Sequence, residues 1–143
     1  MIRKLRKTDI NRVTDIWLKT NLKAYSFISE QYWISNYERV KEMLPQAEVY
    51  VYEDDKMIQG FIGINDEYIE GIFVSDEMQS RGIGKILLDY IKDKKDRLQL
   101  KVYQKNVRAM SFYQREGFTI QSEEMDEFTG EKEYVMNWES SGI

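Results

Sequence analysis

Apolar residues recur at three- and four-residue intervals at Ile10, Val13, Ile16 and Trp17, the period of a helix that buries one face. Thr8 or Asp9 stands where the N-cap of that helix belongs. The same spacing links Trp33, Tyr37, Val40 and Leu44, with Ser29 placed to cap a second helix and Pro45 placed to stop it. The period then falls to two. "EVYVYE" (48–53), "MIQGFIGIN" (57–65) and "YIEGIFVS" (68–75) read as an antiparallel meander of three strands, the first turn carried by Asp54, Asp55 and Lys56. Helical spacing returns over about Gly82 to Lys94, where Ile83, Ile86, Leu87, Tyr90 and Ile91 form the expected buried stripe. "RLQLKVY" (97–103) is a further strand, and a fourth helix spans about Val107 to Glu116, ended by Gly117 as a left-handed cap. "FTIQSEE" and "KEYVMNW" flank the turn "FTGE" (128–131) as two last strands, "IRKLRK" (2–7) supplies an edge strand, and "ESSGI" (139–143) is expected to fray. The order β-α-α-β-β-β-α-β-α-β-β is that of an α/β sandwich with one βαβ crossover at its centre.

With 143 residues, 42% of them hydrophobic, and no repeat or linker, the chain is expected to form one domain over 1–143. No apolar run approaches the roughly 18 residues of a membrane span, and "MIRKLRKTDI" has no apolar segment behind its charges. A cytoplasmic protein without a membrane partner is the expectation. Cysteine and histidine are both absent, which removes disulfides, thiolate nucleophiles and the usual zinc ligand sets. Any catalysis must therefore rest on carboxylates, tyrosines, lysines or backbone, and no metal is expected. The net charge of −4 argues against nucleic acid as a partner.

The candidate chemistry lies in "MQSRGIGKILLDYI" (78–91), where two glycines open a helix. Backbone N–H groups and the helix dipole make such a turn a site for anions. It is not a nucleoside-triphosphate loop, because Gln79 stands five positions before Gly84-Lys85 where a glycine is needed and Ile86 follows in place of Ser or Thr. It is not a dinucleotide fingerprint either: Leu87 replaces the third small residue, and the preceding strands form a meander.

Gln79-Ser80-Arg81-Gly82-Ile83-Gly84 matches Gln/Arg-x-x-Gly-x-Gly/Ala, and "NVRAMSFYQREGF" (106–118) matches Asn-x-x-Ala-x-x-Phe-Tyr-x-x-x-Gly-Phe through Asn106, Ala109, Phe112, Tyr113, Gly117 and Phe118. Together, in this order and on these elements, the two motifs resemble those of the GNAT N-acetyltransferases. "DEFTGEKEYVMNW" and "YSFISEQY" are in addition similar to the small bacterial YjaB-type branch of that family. The resemblance implies a mixed, mostly antiparallel sheet with about four helices on its two faces, acetyl-CoA as cosubstrate, and an amine as acceptor. The chain would act as a monomer or a homodimer. It also implies that the pyrophosphate rests on the N–H groups of Arg81 to Lys85, with Gln79 and Ser80 leading into the loop. The pantetheine arm would pair with the strand Ile72, Phe73 and Val74, one of whose N–H groups, Phe73 or Val74, would polarise the thioester carbonyl. Asn106 would hydrogen-bond the coenzyme, cap its helix, or both.

Chemistry assigns the remaining roles. Tyr113 lies seven residues after Asn106 on the same side of the helix, and a phenol with an ordinary pKa near 10 can hand a proton to the departing thiolate. The incoming amine has the opposite need, since a lysine-like ammonium must lose a proton before it attacks. Glu70 is the candidate base. The position at which the family most often carries an acid falls on Tyr68, and strict alternation would set Tyr68 and Glu70 on one face. Glu67, bulk water, or a Glu70 that is no more than a solvated charge are the alternatives. The resemblance further implies an acceptor pocket among Tyr25, Phe27, Tyr32, Trp33 and Tyr37, residues whose spacing equally fits the core; Tyr25 and Phe27 in the link between helices are its best candidates, and Asp126 and Glu127 are either surface turn residues or line its mouth. Direct attack in a ternary complex follows, because no residue is an evident acyl carrier. A non-catalytic domain that binds or senses CoA, and an acidic interaction module without ligand, are the competing readings.

Overall fold

The computed structural model describes residues 1–140, so residues 141–143 of the stretch expected to fray lie outside the described residues. Its strands are β1 (Ile2–Lys4), β2 (Glu48–Asp54), β3 (Met57–Asn65), β4 (Tyr68–Val74), β5 (Arg97–Tyr103), β6 (Thr119–Met125) and β7 (Lys132–Glu139). Its helices are α1 (Ile10–Ala24), α2 (Glu30–Ser35), α3 (Tyr37–Met43), α4 (Ile83–Lys92) and α5 (Val107–Arg115). All seven strands join one sheet in the order β1-β2-β3-β4-β5-β7-β6. Every pairing is antiparallel except β4 with β5, the two strands that α4 connects. This is the mixed, mostly antiparallel α/β fold with a central crossover.

The alternation of β2 shows how the sheet divides two cores. Val49 and Val51 face Val13, Ile16, Leu44, Ile58 and Phe61 on the α1 side. Tyr50 faces the opposite way, into the larger core that α4 and α5 build with Leu87, Leu88, Ile91, Leu98, Leu100 and Met136. The α1-side core stops at β4, so the outward residues Gln99 and Lys101 of β5 stay exposed and leave one face of β5 and β7 open.

Three expectations are corrected. The helix expected from Ser29 to Leu44 is two helices, α2 and α3, broken at Asn36. The Asn36 amide donates to the carbonyl of Tyr32 at 2.7 Å, a local bond that competes with continuing the helix, and Pro45 opens a short 3₁₀ turn. The first strand ends at Lys4, because a 3₁₀ turn at Lys7–Asp9 follows and Asp9 accepts from Arg6 N–H at 2.7 Å and from Arg3 at 2.7 Å. Ile86, assigned to the buried stripe of α4, is 42% exposed. No helix among the described residues is long and apolar enough to cross a membrane.

Candidate active site

The site begins where two strands part. β4 and β5 pair only at Tyr68 and Gln99, with Gln99 N–H donating to Glu67 at 2.8 Å. Just beyond this point the register of β3 and β4 slips: Gly63 opposes Gly71 while Ile64 opposes Ile69, which leaves Glu70 as an extra residue in β4. A bulge bends and twists its strand, and from here β4 diverges from β5. A cleft of about 320 Å³ opens between them. The bulge also interrupts strict alternation, so the expectation that Tyr68 and Glu70 share a face by counting in twos loses its basis. Both nevertheless line the cleft.

The bulge leaves Ile72, Phe73 and Val74 in regular register with β3, and that register orients their N–H groups. Ser75 N–H donates to Gln59 in β3 at 2.8 Å. In an antiparallel ladder the direction reverses at each residue, so Phe73 also turns its N–H to β3, while Val74 and Ile72 turn theirs toward the cleft. The Val74 carbonyl agrees, since it accepts from Gln79 Nε2 at 3.2 Å outside the ladder. Of the two N–H groups expected to meet a thioester, the Phe73 N–H is therefore committed to the sheet.

Beyond Val74 the chain makes a 3₁₀ turn at Asp76–Met78 and enters the glycine loop. Gly82 caps α4 with φ +82°, in the left-handed region, and a Cβ there would meet nothing within 4 Å. Conformation and not space is what demands glycine. The first bond of α4 runs from Ile86 N–H to the Gly82 carbonyl at 3.0 Å, so the N–H groups of Ile83, Gly84 and Lys85 precede the ladder and have no intrahelical partner. A second cavity of about 560 Å³ lies over this end, lined by Gln79, Ser80, Gly82, Gly84, Asn106 and Tyr113 among others.

The basic side chains around the loop, Lys85, Arg81 and Arg108, differ in what they hold. Lys85 lies against two carboxylates, Glu116 at 2.9 Å and Asp89 at 3.4 Å. Arg81 is exposed and lines neither cavity. The organising cation is Arg108, which the motif reading passed over: it donates to Gln79 Oε1 at 3.2 Å and to Ser80 Oγ at 2.9 Å. Only the approach of α5 to the loop brings it there.

Asn106 and Tyr113 line both cavities, at their junction. Asn106 caps α5, its Oδ1 accepting from Ala109 N–H at 3.2 Å, while its amide donates to the Tyr25 hydroxyl at 3.1 Å. Tyr113 is 9% exposed and packs edge-on to Phe112 and Phe118. Burial, helped by Tyr25 and Tyr68, pushes its pKa well above the ordinary phenol value, so it carries its proton throughout the neutral range.

The far end of the cleft is aromatic and acidic. Tyr25 stacks on Trp33 with centroids 5.5 Å apart and meets Tyr103 edge-on at 5.1 Å. Tyr103 donates to Asp126 at 2.5 Å, and although burial works against it, this bond with those from the Phe128 and Thr129 backbone holds Asp126 below its ordinary pKa. Phe27 packs edge-on to Tyr25 and Tyr103. Tyr37 stands apart, donating to Asp15 at 2.6 Å, and Glu127 is exposed in the hairpin turn. Glu70 is exposed at the cleft margin. Glu133, which carried no local signal in the sequence, enters the same cleft from β7 opposite Tyr103.

A split central pair of strands, a glycine turn at one end of the split and a capped helix carrying a buried phenol beside it make a cleft whose shape and free N–H groups suit an acyltransferase acting on a long, phosphate-bearing thioester. The chain belongs to the acetyltransferase (GNAT) domain family, whose model matches residues 22–139. It is an enzyme that transfers an acetyl group to an amine. Among curated proteins it is 31% identical over 140 residues to the peptidyl-lysine N-acetyltransferase YiaC of Escherichia coli K12, with 96% of each chain covered. In structure it resembles apo YjaB from Escherichia coli with a TM-score of 0.86 at 20% identity over 96% of both chains. It also resembles a streptothricin acetyltransferase assignment from Bacillus anthracis, solved with acetyl coenzyme A, with a TM-score of 0.61 at 23% identity over 66% of this chain and 63% of that one.

Proposed function

We propose that the protein acetylates the side-chain amine of lysine in protein acceptors, taking the acetyl group from acetyl-CoA by direct attack. The observation that carries this reading is the parting of β4 from β5 at Glu70, which lets one cleft run from the free N–H groups of α4 to an aromatic and acidic end. The name of the relative YiaC supports lysine as the acceptor, and relatives from Escherichia coli support a bacterial, cytoplasmic setting.

The pyrophosphate rests on the N–H groups of Ile83, Gly84 and Lys85, with Gln79, Ser80 and Arg81 on the approach and Arg108 holding the loop in shape. The pantetheine amides pair with Ile72 and Val74 as an added strand beside Phe73. The thioester carbonyl takes the Val74 N–H, a dipole already fixed before charge develops on the oxygen. Asn106 orients the arm at the junction. The ammonium of the acceptor gives its proton to a carboxylate of the cleft, of which Glu70 and Glu133 are the two without a partner among the described residues. The neutral amine attacks, the C–S bond breaks, and Tyr113 delivers a proton to the departing thiolate.

Calorimetric titration with acetyl-CoA, followed by thiol release with a lysine peptide and with the same peptide carrying acetylated lysine, tests the reading. Binding in the micromolar range and release only with the free lysine are expected. No binding, or release indifferent to the lysine, overturns it.

A further inference from the structure

We propose that Glu133 on β7, and not Glu70 on β4, receives the proton of the incoming ammonium; the inference rests on the amine-acetylation reading above. Both carboxylates line the cleft with Tyr113, but their surroundings differ. Glu70 protrudes from the bulge into solvent, where an ammonium has little to gain by leaving water. Glu133 is half-buried. It is held between Tyr103 on β5 and Glu124 on β6 by the registers of both neighbouring strands.

The other carboxylates of this corner are engaged: Glu124 with Lys101 at 2.9 Å, Glu131 with Lys105 at 2.9 Å, and Asp126 with Tyr103 at 2.5 Å. Glu133 has no such partner among the described residues. A half-buried carboxylate that the protein leaves unpaired is a place for a cation. Its charge also reaches Tyr25, Tyr32, Tyr68 and Lys101, so it stands amid the groups of the acceptor end and not at their edge.

The electrostatics suit a proton acceptor. The groups facing Glu133 are Lys101 and Tyr103 from β5, Glu124 from β6, Asp126 from the hairpin, Tyr68 from β4, Tyr25 after α1 and Tyr32 in α2, while Glu70 of β4 lines the same cleft. Burial first, then Asp126 and Glu124, raise its pKa from the ordinary glutamate value, against the pull of Lys101. That narrows the gap to an amine near 10.4 and makes a stronger base than a solvated glutamate.

The protons balance. One N–H bond of the ammonium breaks and its proton joins the Glu133 carboxylate; the freed lone pair forms the C–N bond. On collapse the C–S bond breaks, the thiolate takes the Tyr113 proton, and the now cationic nitrogen returns a proton to Tyr113. Glu133 sheds its proton to water at the open mouth, leaving amide, thiol and one proton released.

The test compares wild type, Glu133→Gln, Glu133→Asp and Glu70→Gln for kcat/KM with a lysine peptide between about pH 6 and about pH 9, beside the Kd for acetyl-CoA. Wild type, followed down to about pH 4.5, loses rate as the Glu133 carboxylate protonates, because the base must be unprotonated. Glu133→Gln is expected to lose about 10²-fold at neutral pH with unchanged acetyl-CoA affinity, and to climb with pH across the whole range as free amine accumulates. Glu133→Asp keeps the charge and recovers part of the rate, which a purely structural role of the side chain would not produce. A rate within about twofold of wild type in both Glu133 variants, or the whole loss appearing in Glu70→Gln, overturns the assignment. Absence of turnover in wild type itself overturns the lysine reading and this role with it, an outcome distinct from the other two.

Discussion

The two ends of the cleft are built by different means. At the coenzyme end, N–H groups of consecutive residues, Ile83 to Lys85, are freed by one left-handed glycine, and the supporting Asn106 and Tyr113 come from one short helix. At the acceptor end no two neighbours in sequence suffice: Tyr25 follows α1, Trp33 lies in α2, Glu70 in β4, Tyr103 in β5 and Glu133 in β7. A phosphate is recognised by backbone, which every residue carries, so a small local pattern is enough. An amine that must lose a proton needs a carboxylate in a chosen dielectric, and burial is decided by the whole fold.

This contrast can be broken at three points. The largest effect is expected at Tyr113→Phe, which keeps the packing against Phe112 and Phe118 but removes the proton donor at the junction. Turnover should fall about 10²-fold while the calorimetric Kd for acetyl-CoA stays constant; a rate like that of wild type removes Tyr113 from catalysis. Gly82→Val comes next. A β-branched residue held at φ +82° costs at least the roughly 1–2 kcal/mol of a strained left-handed residue, so Kd should rise about tenfold or more while the far-ultraviolet spectrum stays native. An unaltered Kd would show that the loop does not hold the pyrophosphate. The smallest effect belongs to Asn106→Ala, which loses the α5 cap and the bond to Tyr25. The cap is worth about 1 kcal/mol, and for a chain of this size a Tm about 2–4 °C lower is the expected readout. Because Asn106 stands where the two ends meet, acetyl-CoA affinity and peptide KM should worsen together; a change confined to one of them would mean that the ends are independent.

Helical spacing, alternation and turn residues predicted every strand and placed the glycine loop and the Asn106–Tyr113 motif on the elements that carry them. These are short-range properties, set by periods of two and 3.6 residues. The break at Asn36 escaped prediction because the apolar spacing continues across it from Trp33 to Tyr37, while a single side-chain bond to Tyr32 ends the turn. The bulge at Glu70 escaped for a related reason: it is a mismatch between two strands, and one strand read alone has no register.

The amino-acid sequence by itself determined the class of the site: glycines at 82 and 84 before an apolar helix, an asparagine and a tyrosine seven residues apart, and no histidine or cysteine to offer another chemistry. Tertiary structure alone decided which groups face the cleft. The N–H of Val74 and not of Phe73 turns to the cleft because of the ladder with β3, and Arg108 holds the loop because α5 lies against it. Glu133 becomes a half-buried neighbour of Tyr103 and Glu124 because β7 inserts between β5 and β6. Local pattern specifies backbone conformation, whereas direction, burial and charge arise only when distant segments meet.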